Sequence, residues 1–387
     1  MEELQRVMLV NHNMSRGGAQ RAMSILGNNL AALGFDLCLC YTSRDREQSA
    51  YELDPRIEVF MSQSSFLACC DRFFRGFIDV SSVVRIYRLR RKIRKCKPQL
   101  IIAFMDFPAK VTALACRGIK IPVIFAPRGS PKGKIMEIPG YVDMFEGLHK
   151  RFAGIVYQTA EQQKQYHEVF SMPENMKQAV IPNAIEQSSL WDRPRVPLRG
   201  FIAAVGREGL PKNYPLLLHA FAKAAERFQD CTLNIYGRMR APNPLENLAG
   251  ELGVGDRVIF HGFCTDVHER IKDAAVYIMP SIYEGLPNAL IEAMCLGLPC
   301  ITTDFVGGGA RALITDGENG LIVPNEDEDA LAEAMCRLMD DPDYAERLGK
   351  NAALLREKLV SEKIIPQWMD FMRSVVDDYN AGNRATV

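Results

Sequence analysis

The sequence lacks a net charge, a long apolar run and the usual paired-cysteine motif. Its 387 residues contain 47 lysines and arginines against 47 acidic residues, which argues against a globally basic nucleic-acid-binding protein. No apolar run approaches the roughly 18–20 residues of a membrane span, and the N-terminus MEELQRVMLVNHN is typical of neither a signal peptide nor an anchor. No C-x-x-C pair occurs among the 11 cysteines, which disfavours zinc-finger and thioredoxin-like proteins. We therefore expect a cytoplasmic protein with reduced thiols.

Two motifs of phosphate and metal chemistry are also missing. No G-x-G-x-x-G follows a predicted strand, which disfavours an enzyme that uses NAD. The D-x-D pattern occurs only at Asp327–Asp329 and Asp341–Asp343, in each case where a helical pattern starts. Acidic side chains cap helices at such positions, so the sequence predicts no metal site.

Length and pattern predict two α/β domains. The chain is longer than one ordinary domain, and in both halves short apolar runs alternate with helical patterns, as in a doubly wound parallel sheet. The stretch SSLWDRPRVPLRG is rich in proline and polar residues, which is typical of a linker. We expect Rossmann-like domains at 1–190 and 200–362 that face a central cleft, with a last helix in 363–387 that packs back on the first domain.

The same patterns give element bounds. In the first half we predict a helix from Ala19 to Gly34 and strands at Val7–Val10, Phe35–Tyr41, Leu100–Phe104, Val123–Ala126 and Ile155–Gln158, the last continuing through Val180 and Ile181. In the second half the predicted strands are Phe201–Val205, Cys231–Tyr236, Arg257–Phe260, Ala275–Met279, Pro299–Thr302 and Gly320–Val323. The predicted helices between them are Pro215–Arg227, Leu245–Leu252, Val267–Lys272 and Asn288–Leu296.

The segment SIYEGLPNALIEAM is the most informative part of the second half. Glu284 and Gly285 follow a predicted strand, and Pro287 suits the first position of the next helix. A helix N-terminus attracts phosphate, and the Glu292 carboxylate in the second turn could accept both hydroxyls of a ribose. The alternative is a surface helix with two solvated glutamates.

Two cations follow the first strand of the same half, in VGREGLPKN. Arg207 and Lys212 lie where a parallel sheet binds ligands, beyond the carboxyl end of a strand. They could neutralise a diphosphate that leaves a sugar. Solvated loop charges are the alternative.

Five short strings occur in a fixed order along the chain: GGAQR, IPNAIE, VGREGLPKN, SIYEGLPNALIEAMCLGLPCI and ENGLIVP. Through these strings the chain resembles, over essentially its whole length, the retaining GT-B glycosyltransferases of family 4, also called group 1 glycosyl transferases. That family includes many enzymes of bacterial surface-polysaccharide synthesis. Any single string is weak evidence for this family, whereas the E-x7-E segment together with the R-x4-K segment at this separation is specific for it.

The resemblance implies a role for each matching residue. It assigns ribose binding to Glu292, catalysis to Glu284, Arg207 and Lys212, and further donor contacts to Gly285, Leu286, Asn288 and the N-terminal loop residues Gly17 and Gly18. The implied reaction is front-face transfer, in which the leaving diphosphate helps to deprotonate the attacking hydroxyl and the anomeric configuration is retained. It requires no metal and no cofactor beyond the nucleotide sugar.

The first half departs from the family pattern. Many relatives carry a histidine in the middle of this half, whereas IFAPRGSPKG places Arg128 there. We take Arg128, His12 and Asp106 as candidate contacts to the acceptor or the donor sugar. For His12 a structural role is the alternative.

A basic segment, Arg72–Lys97, carries ten basic residues and one acid. It predicts a helix with one cationic side and one apolar side, the apolar side formed by Phe73, Phe74, Phe77, Val80, Val84 and Tyr87. Such a helix suits an anionic membrane surface. Packing on its own domain with solvated arginines is the equal alternative, and we expect no nucleic-acid binding.

Taken together, we expect a retaining glycosyltransferase that moves a hexose or N-acetylhexosamine from a UDP-linked sugar to a lipid-linked or membrane-borne glycan. We expect it in the cytoplasm, with peripheral attachment to the inner face of the cell membrane. The alternatives are a nucleotide-sugar epimerase of the same fold and a non-catalytic membrane-associated binding protein.

Overall fold

A computed structural model describes residues 3–13, 17–43, 51–62, 80–192 and 198–382. The chain forms two compact units. The first consists of Met1–Glu186 and Ser361–Val387, and the second of Gln187–Val360.

The first unit is built on a seven-stranded parallel sheet. Its strands are β1 (Arg6–Asn11), β2 (Asp36–Tyr41), β3 (Glu58–Met61), β4 (Leu100–Phe104), β5 (Val123–Ala126), β6 (Gly154–Tyr157) and β7 (Lys177–Val180). Their order in the sheet is β3-β2-β1-β4-β5-β6-β7. The central strands are uninterrupted apolar runs because helices cover both faces of such a sheet, and all five residues of β4 are buried.

Side-chain caps mark the start of two helices of this unit. The helices are α1 (Gly18–Ala32), α2 (Val80–Cys96), α3 (Asp106–Ala115), α4 (Pro131–Glu137), α5 (Tyr141–Phe145) and α6 (Ala160–Val169). The hydroxyl of Ser130 accepts from the Gly133 N–H at the start of α4, and that of Thr159 accepts from Gln162 at the start of α6. Each cap satisfies an N–H that has no partner inside its helix.

The second unit carries a six-stranded parallel sheet. Its strands are β8 (Leu198–Val205), β9 (Thr232–Tyr236), β10 (Val258–Gly262), β11 (Ala274–Met279), β12 (Cys300–Thr303) and β13 (Leu321–Val323), in the order β10-β9-β8-β11-β12-β13. Its helices are α7 (Tyr214–Arg227), α8 (Pro244–Glu251), α9 (Val267–Ile271), α10 (Asn288–Cys295), α11 (Gly309–Leu313), α12 (Glu328–Asp340), α13 (Pro342–Ala353) and α14 (Arg356–Leu359).

The D-x-D acids of this unit cap helices. The Asp327 carboxylate accepts from Ala330 N–H at 2.9 Å at the start of α12, and Asp341 accepts from Tyr344 N–H at 2.9 Å at the start of α13. This is the capping role that the sequence predicts for both.

A final helix, α15 (Ser361–Asn380), belongs to the first unit. Its buried side includes Trp368, and it also contacts α1. Over the part of the chain that the structure describes, no helix combines the length and the apolar character that crossing a membrane requires.

Each sheet has one point where the strand order reverses. The chain runs outward from β1 to β3 and returns to place β4 on the other side of β1. In the second sheet it runs outward from β8 to β10 and returns to place β11 beside β8. Ligands of doubly wound sheets bind beyond the carboxyl ends of the strands at such points.

The predicted fold class is confirmed, since both units are parallel-sheet α/β structures. All six strands predicted for the second half are present. Two details differ: β3 was not predicted, and β7 is a strand of its own rather than a continuation of β6. The predicted linker is shorter than expected because Leu198, Arg199 and Gly200 already belong to β8, and residues 193–197 lie outside the described residues.

The basic segment forms the predicted helix from Val80 onward, and residues 72–79 lie outside the described residues. The prediction that Tyr87 belongs to the apolar side of this helix is wrong, because Tyr87 is 64% exposed. The buried side of α2 is instead formed by Leu89, Lys92 and Ile93, which recur at spacings of three and four and therefore share one face.

Candidate active site

The strand-order reversal of the second sheet brings two predicted residues together. Lys212 ends a short 3-10 turn, Leu210–Lys212, that follows β8, and Glu284 lies in the loop that follows β11. The Ile282 N–H donates to the Pro211 carbonyl at 2.8 Å, which joins the two loops. Lys212 Nζ lies 2.7 Å from Glu284 Oε1.

This ion pair is held in a mostly buried position. The side chains of Lys212 and Glu284 are 17% and 20% exposed. The Ser281 hydroxyl donates to Glu284 Oε1 at 3.3 Å, and the Glu284 N–H donates to the Val306 carbonyl at 2.9 Å. Charges in partly desolvated positions interact more strongly than exposed ones. Binding of a phosphate by Lys212 stays a prediction.

Two glycines lie in close contact with the residues around the pair. A Cβ at Gly206 would lie 2.8 Å from Lys212 Cε, so a side chain there would displace the lysine. A Cβ at Gly309 would lie 2.2 Å from the Gly285 carbonyl oxygen, at the start of α11. Real Cβ atoms do not approach a backbone oxygen that closely.

The second predicted glutamate has a partner that sequence reasoning missed. Glu292 lies in the second turn of α10, and its Oε2 is 2.8 Å from Nε2 of His268 on α9. The Glu292 side chain is 16% exposed and that of His268 is 25% exposed. His268 therefore fixes the orientation of a carboxylate that still reaches the surface. No motif includes His268, and only the position of α9 beside α10 reveals the pair.

The remaining residues predicted in this loop lie around α10. Pro287 is the N-cap of this helix, and no side chain caps it. Asn288 is the first helical residue and is half-buried, whereas Gly285 and Leu286 are buried. A helix N-terminus is suited to an anion because of its dipole.

Arg207 lies apart from the ion pair. It follows β8 and is exposed, and within the described residues no ion pair joins it to an acid. Its assignment as a diphosphate ligand stays a prediction.

In the first unit, Arg128 is the centre of a polar cluster beyond the carboxyl ends of β5, β6 and β7. Its Nη1 donates to Asn183 Oδ1 at 2.7 Å, and the same oxygen accepts from Gln158 Nε2 at 2.9 Å. The guanidinium carbon lies 4.5 Å from the centroid of the Phe104 ring and 6.0 Å from that of Trp368 on α15.

The Arg128 guanidinium has no carboxylate partner within the described residues. Burial lowers the pKa of Arg128, and its Nε is buried without a hydrogen-bond partner. A desolvated cation with an unused donor is suited to an anionic or hydroxyl-rich ligand.

His12 and Asp106 follow β1 and β4 at the same edge of this sheet. His12 Nδ1 lies 3.3 Å from the Thr42 hydroxyl, and the His12 ring packs edge-on against Phe107. Asp106 accepts a hydrogen bond from the Tyr141 hydroxyl at 2.7 Å, and burial raises the pKa of its carboxyl. Sugar contact by either residue stays a prediction.

Gly17 is the N-cap of α1 and Gly18 is its first residue, and residues 14–16 before them are outside the described residues. The Gly17 carbonyl accepts from the Tyr51 hydroxyl and from the Arg21 N–H, both at 3.0 Å. These bonds fix the turn, and its role toward a donor stays a prediction.

The two parallel-sheet units define a class of protein: α/β structures of the GT-B type. Residues 194–354 match the family model described as Glycosyl transferases group 1. The Lys212–Glu284 and His268–Glu292 pairs both lie within the matched residues.

Similar proteins carry sugar- or polysaccharide-related names. An exopolysaccharide phosphotransferase of Streptomyces coelicolor is 34% identical over 200 residues, which are 51% of this chain and 21% of that protein. A Campylobacter jejuni enzyme named GalNAc-alpha-(1->4)-GalNAc-alpha-(1->3)-diNAcBac-PP-undecaprenol alpha-1,4-N-acetyl-D-galactosaminyltransferase is 24% identical over 96% of this chain and 99% of its own. The chain spans about half or less of the length of the first curated relatives it matches.

Solved structures share the fold over nearly the whole chain. Anabaena HepE, crystallised with UDP and glucose, gives a TM-score of 0.78 at 16% identity and covers 96% of this chain and 100% of its own. The likeness shows the GT-B fold.

Proposed function

We propose that this protein is a retaining glycosyltransferase that transfers a hexose or N-acetylhexosamine from a UDP-linked sugar to a lipid-linked glycan of surface-polysaccharide or glycoconjugate synthesis. The observation that carries the proposal is the Lys212–Glu284 pair, 2.7 Å apart at the strand-order reversal of a glycosyl transferases group 1 domain. A cation at this place is what the departure of a nucleoside diphosphate requires.

Four groups of the second unit would each bind part of the nucleotide-sugar donor. Lys212 and Arg207 would neutralise the diphosphate in place of a metal ion, and the N-terminus of α10 would turn the positive end of its dipole to it. The Glu292 carboxylate, oriented by His268, would accept from the ribose hydroxyls. UDP is preferred as the carrier because a structural neighbour was crystallised with UDP and glucose.

Retention follows from the arrangement of charge in the proposed mechanism. Lys212 and Arg207 stabilise the diphosphate as its bond to the anomeric carbon breaks, and a phosphate oxygen then accepts the proton of the attacking acceptor hydroxyl on the same face. When the phosphates bind Lys212, Glu284 is released from its ion pair and is available to a hydroxyl of the donor sugar. No residue of this chain needs to act as a covalent nucleophile in that sequence.

A ligand screen tests the donor assignment. A ligand that binds only the folded state raises the midpoint of thermal unfolding by mass action. We expect UDP-sugars to raise it more than GDP- or ADP-sugars, also in the presence of EDTA. No shift with any nucleotide sugar would contradict the proposal.

A product assay tests the reaction. Incubation of the selected donor with a diphospho-undecaprenol-linked glycan should give a longer glycan, and NMR should show the donor's anomeric configuration in the new linkage. An altered nucleotide sugar formed without acceptor would identify an epimerase, and an inverted linkage would exclude the retaining mechanism.

The acceptor of the Campylobacter jejuni relative is named as an undecaprenol-linked glycan, and helix α2 offers a surface for such a partner. Its exposed residues Val83, Tyr87, Arg91 and Arg94 are spaced by four, four and three, so they share one face. An aromatic followed by cations suits the interface of an anionic membrane. We propose that this face attaches the protein to the inner leaflet.

Flotation with liposomes tests the attachment. The variant R91Q/R94Q/K95Q should float less with vesicles that contain anionic lipid, because each cation contributes about 1 kcal/mol near such a surface. The control K150Q/K164Q/K350Q removes three exposed cations elsewhere and should float like the wild type. Equal flotation of both variants would contradict the attachment.

A further inference from the structure

A cluster of thiols outside the proposed active site lies where α2 crosses the edge of the first sheet. Cys38 and Cys40 are on β2, Glu58 is the first residue of β3, and Cys96 is the last residue of α2. Cys38 Sγ, Cys96 Sγ and a carboxylate oxygen of Glu58 all lie within 4.8 Å of one another. Among the described residues, this is the one such group of potential metal ligands.

The distances in the cluster are close to those of a tetrahedral metal site. With zinc–sulfur bonds of about 2.3 Å and zinc–oxygen bonds of about 2.0 Å, two sulfur ligands lie about 3.8 Å apart and a sulfur and an oxygen about 3.5 Å apart. Cys38 Sγ and Cys40 Sγ are separated by 3.8 Å, and Cys96 Sγ and Glu58 Oε2 also by 3.8 Å. Only small side-chain movements would be needed to form a site.

The pairing of the strands explains this arrangement. Cys38 and Glu58 are partners in the register of β2 and β3, and the two-residue period of a strand places Cys40 on the same side as Cys38. The last turn of α2 then places Cys96 beside Glu58. The cluster thus joins three elements that are far apart in sequence.

Lys92 balances the charge of the cluster. This lysine is 8% exposed, and its Nζ lies 2.5 Å from Glu58 Oε1, while the other carboxylate oxygen, Oε2, is directed at Cys96. A divalent cation bound by two thiolates and the Glu58 carboxylate would form a neutral group together with the Lys92 ammonium. The lysine would then hold the carboxylate from outside, as residues around a metal's ligands do.

We propose that Cys38, Cys96 and Glu58 form a binding site for a thiophilic divalent cation, with Zn²⁺ the best fit, and with Cys40 or a water molecule as the fourth ligand. The donor set of two or three sulfurs and one oxygen favours Zn²⁺ over the hard cations Mg²⁺ and Ca²⁺. The site is separate from the proposed donor site, and its existence does not depend on the enzymatic activity.

Titration of the reduced, metal-free full-length protein with Co²⁺ tests the proposal. Thiolate ligation of Co²⁺ produces a charge-transfer absorption in the near ultraviolet that carboxylate ligation alone does not produce. We expect one equivalent of Co²⁺ to give this band and Zn²⁺ to displace it. C96S and E58Q should weaken binding by at least about tenfold, the lower end of the effect of losing an outer partner of a metal ligand.

Two controls keep the outcome interpretable. C336S removes another half-buried thiol, in the second unit, and should bind like the wild type. Cys38 is buried in the core, so C38S could unfold, whereas Cys96 is half-buried and Glu58 is exposed, and the folding of their variants can be checked by circular dichroism. Absence of the band in the wild type, or an unchanged band in C96S, would overturn the proposal.

Discussion

Replacement of Lys212 by methionine removes one ammonium and keeps an unbranched side chain. In the folded protein this group is 2.7 Å from Glu284 Oε1, and both side chains are at most 20% exposed. An exposed pair contributes about 0–1 kcal/mol, and loss of one partner of a fully buried pair costs about 3–5 kcal/mol. For this intermediate position we expect K212M to lower the free energy of unfolding by about 2 kcal/mol, and the midpoint of thermal unfolding by about 5 °C.

The same variant should lose affinity for the donor. A hydrogen bond to a charged group contributes about 1.5–3 kcal/mol, which corresponds to a loss of about 10- to 150-fold in UDP affinity. Calorimetric titration with UDP measures it. The control K350M removes a lysine that is 72% exposed and paired with Glu346 at 2.6 Å, and both its stability and its affinity should stay near those of the wild type.

The double variant K212M/E284Q separates a structural role from a ligand role. Removing the unpaired carboxylate should restore about 1 kcal/mol of the lost stability, but it should not restore UDP affinity. Unchanged UDP affinity in K212M would refute the assignment of Lys212 to the diphosphate. Recovery of affinity in the double variant would show that Lys212 acts only by pairing with Glu284.

Three further predictions concern the surroundings of the two sites. H268A should weaken UDP binding by about tenfold, because it frees the Glu292 carboxylate to rotate, and it should have no effect in an E292A background. G309A should lower the midpoint of thermal unfolding by several degrees, since its Cβ would lie 2.2 Å from the Gly285 oxygen. Burial raises the pKa of the Asp106 carboxyl. The contribution of this group to stability is therefore fully present below about pH 4 and is lost as pH rises through the folded-state pKa. D106N should remove this part of the pH dependence of the unfolding midpoint.

The second unit could be predicted almost completely from the sequence. Most of its strands are short, largely buried apolar runs, such as IAAV in β8 and AAVYIM in β11, and glycine or proline separates them from helices. Glu284 and Lys212 could also be placed at one sheet edge, because both follow strands that a parallel sheet aligns. Their direct contact could not be predicted, since it depends on the turn at Leu210–Lys212 and on the bond from Ile282 to Pro211.

The elements that were missed are those with little apolar pattern. In β3 no residue is buried, and β7 has only partly buried or exposed residues, so neither gives the continuous apolar run by which a buried strand is recognised. In α2, Tyr87 was assigned to the apolar side although it is exposed, while the charged residue Lys92 is buried with Glu58 as its partner. Residue type alone does not reveal such a partner.

His268 and the thiol cluster show the same limit at the level of sites. Glu292 and His268 are 24 residues apart, and Cys38 and Cys96 are 58 residues apart in the sequence. Neither spacing corresponds to a motif, because helix packing and strand register bring these side chains together. Sequence reasoning identifies ligands that share one loop or one helix, and these pairs do not.

The most direct test of the proposed function is calorimetric titration of UDP into the wild type and E292A, in the presence of EDTA. We expect the wild type to bind one equivalent. In E292A, the loss of two hydrogen bonds between the carboxylate and the ribose hydroxyls should weaken binding by at least about 100-fold, or about 2.7 kcal/mol. Equal affinity of the two proteins, or no binding of UDP by the wild type, would contradict the assignment of this site to a nucleotide-sugar donor.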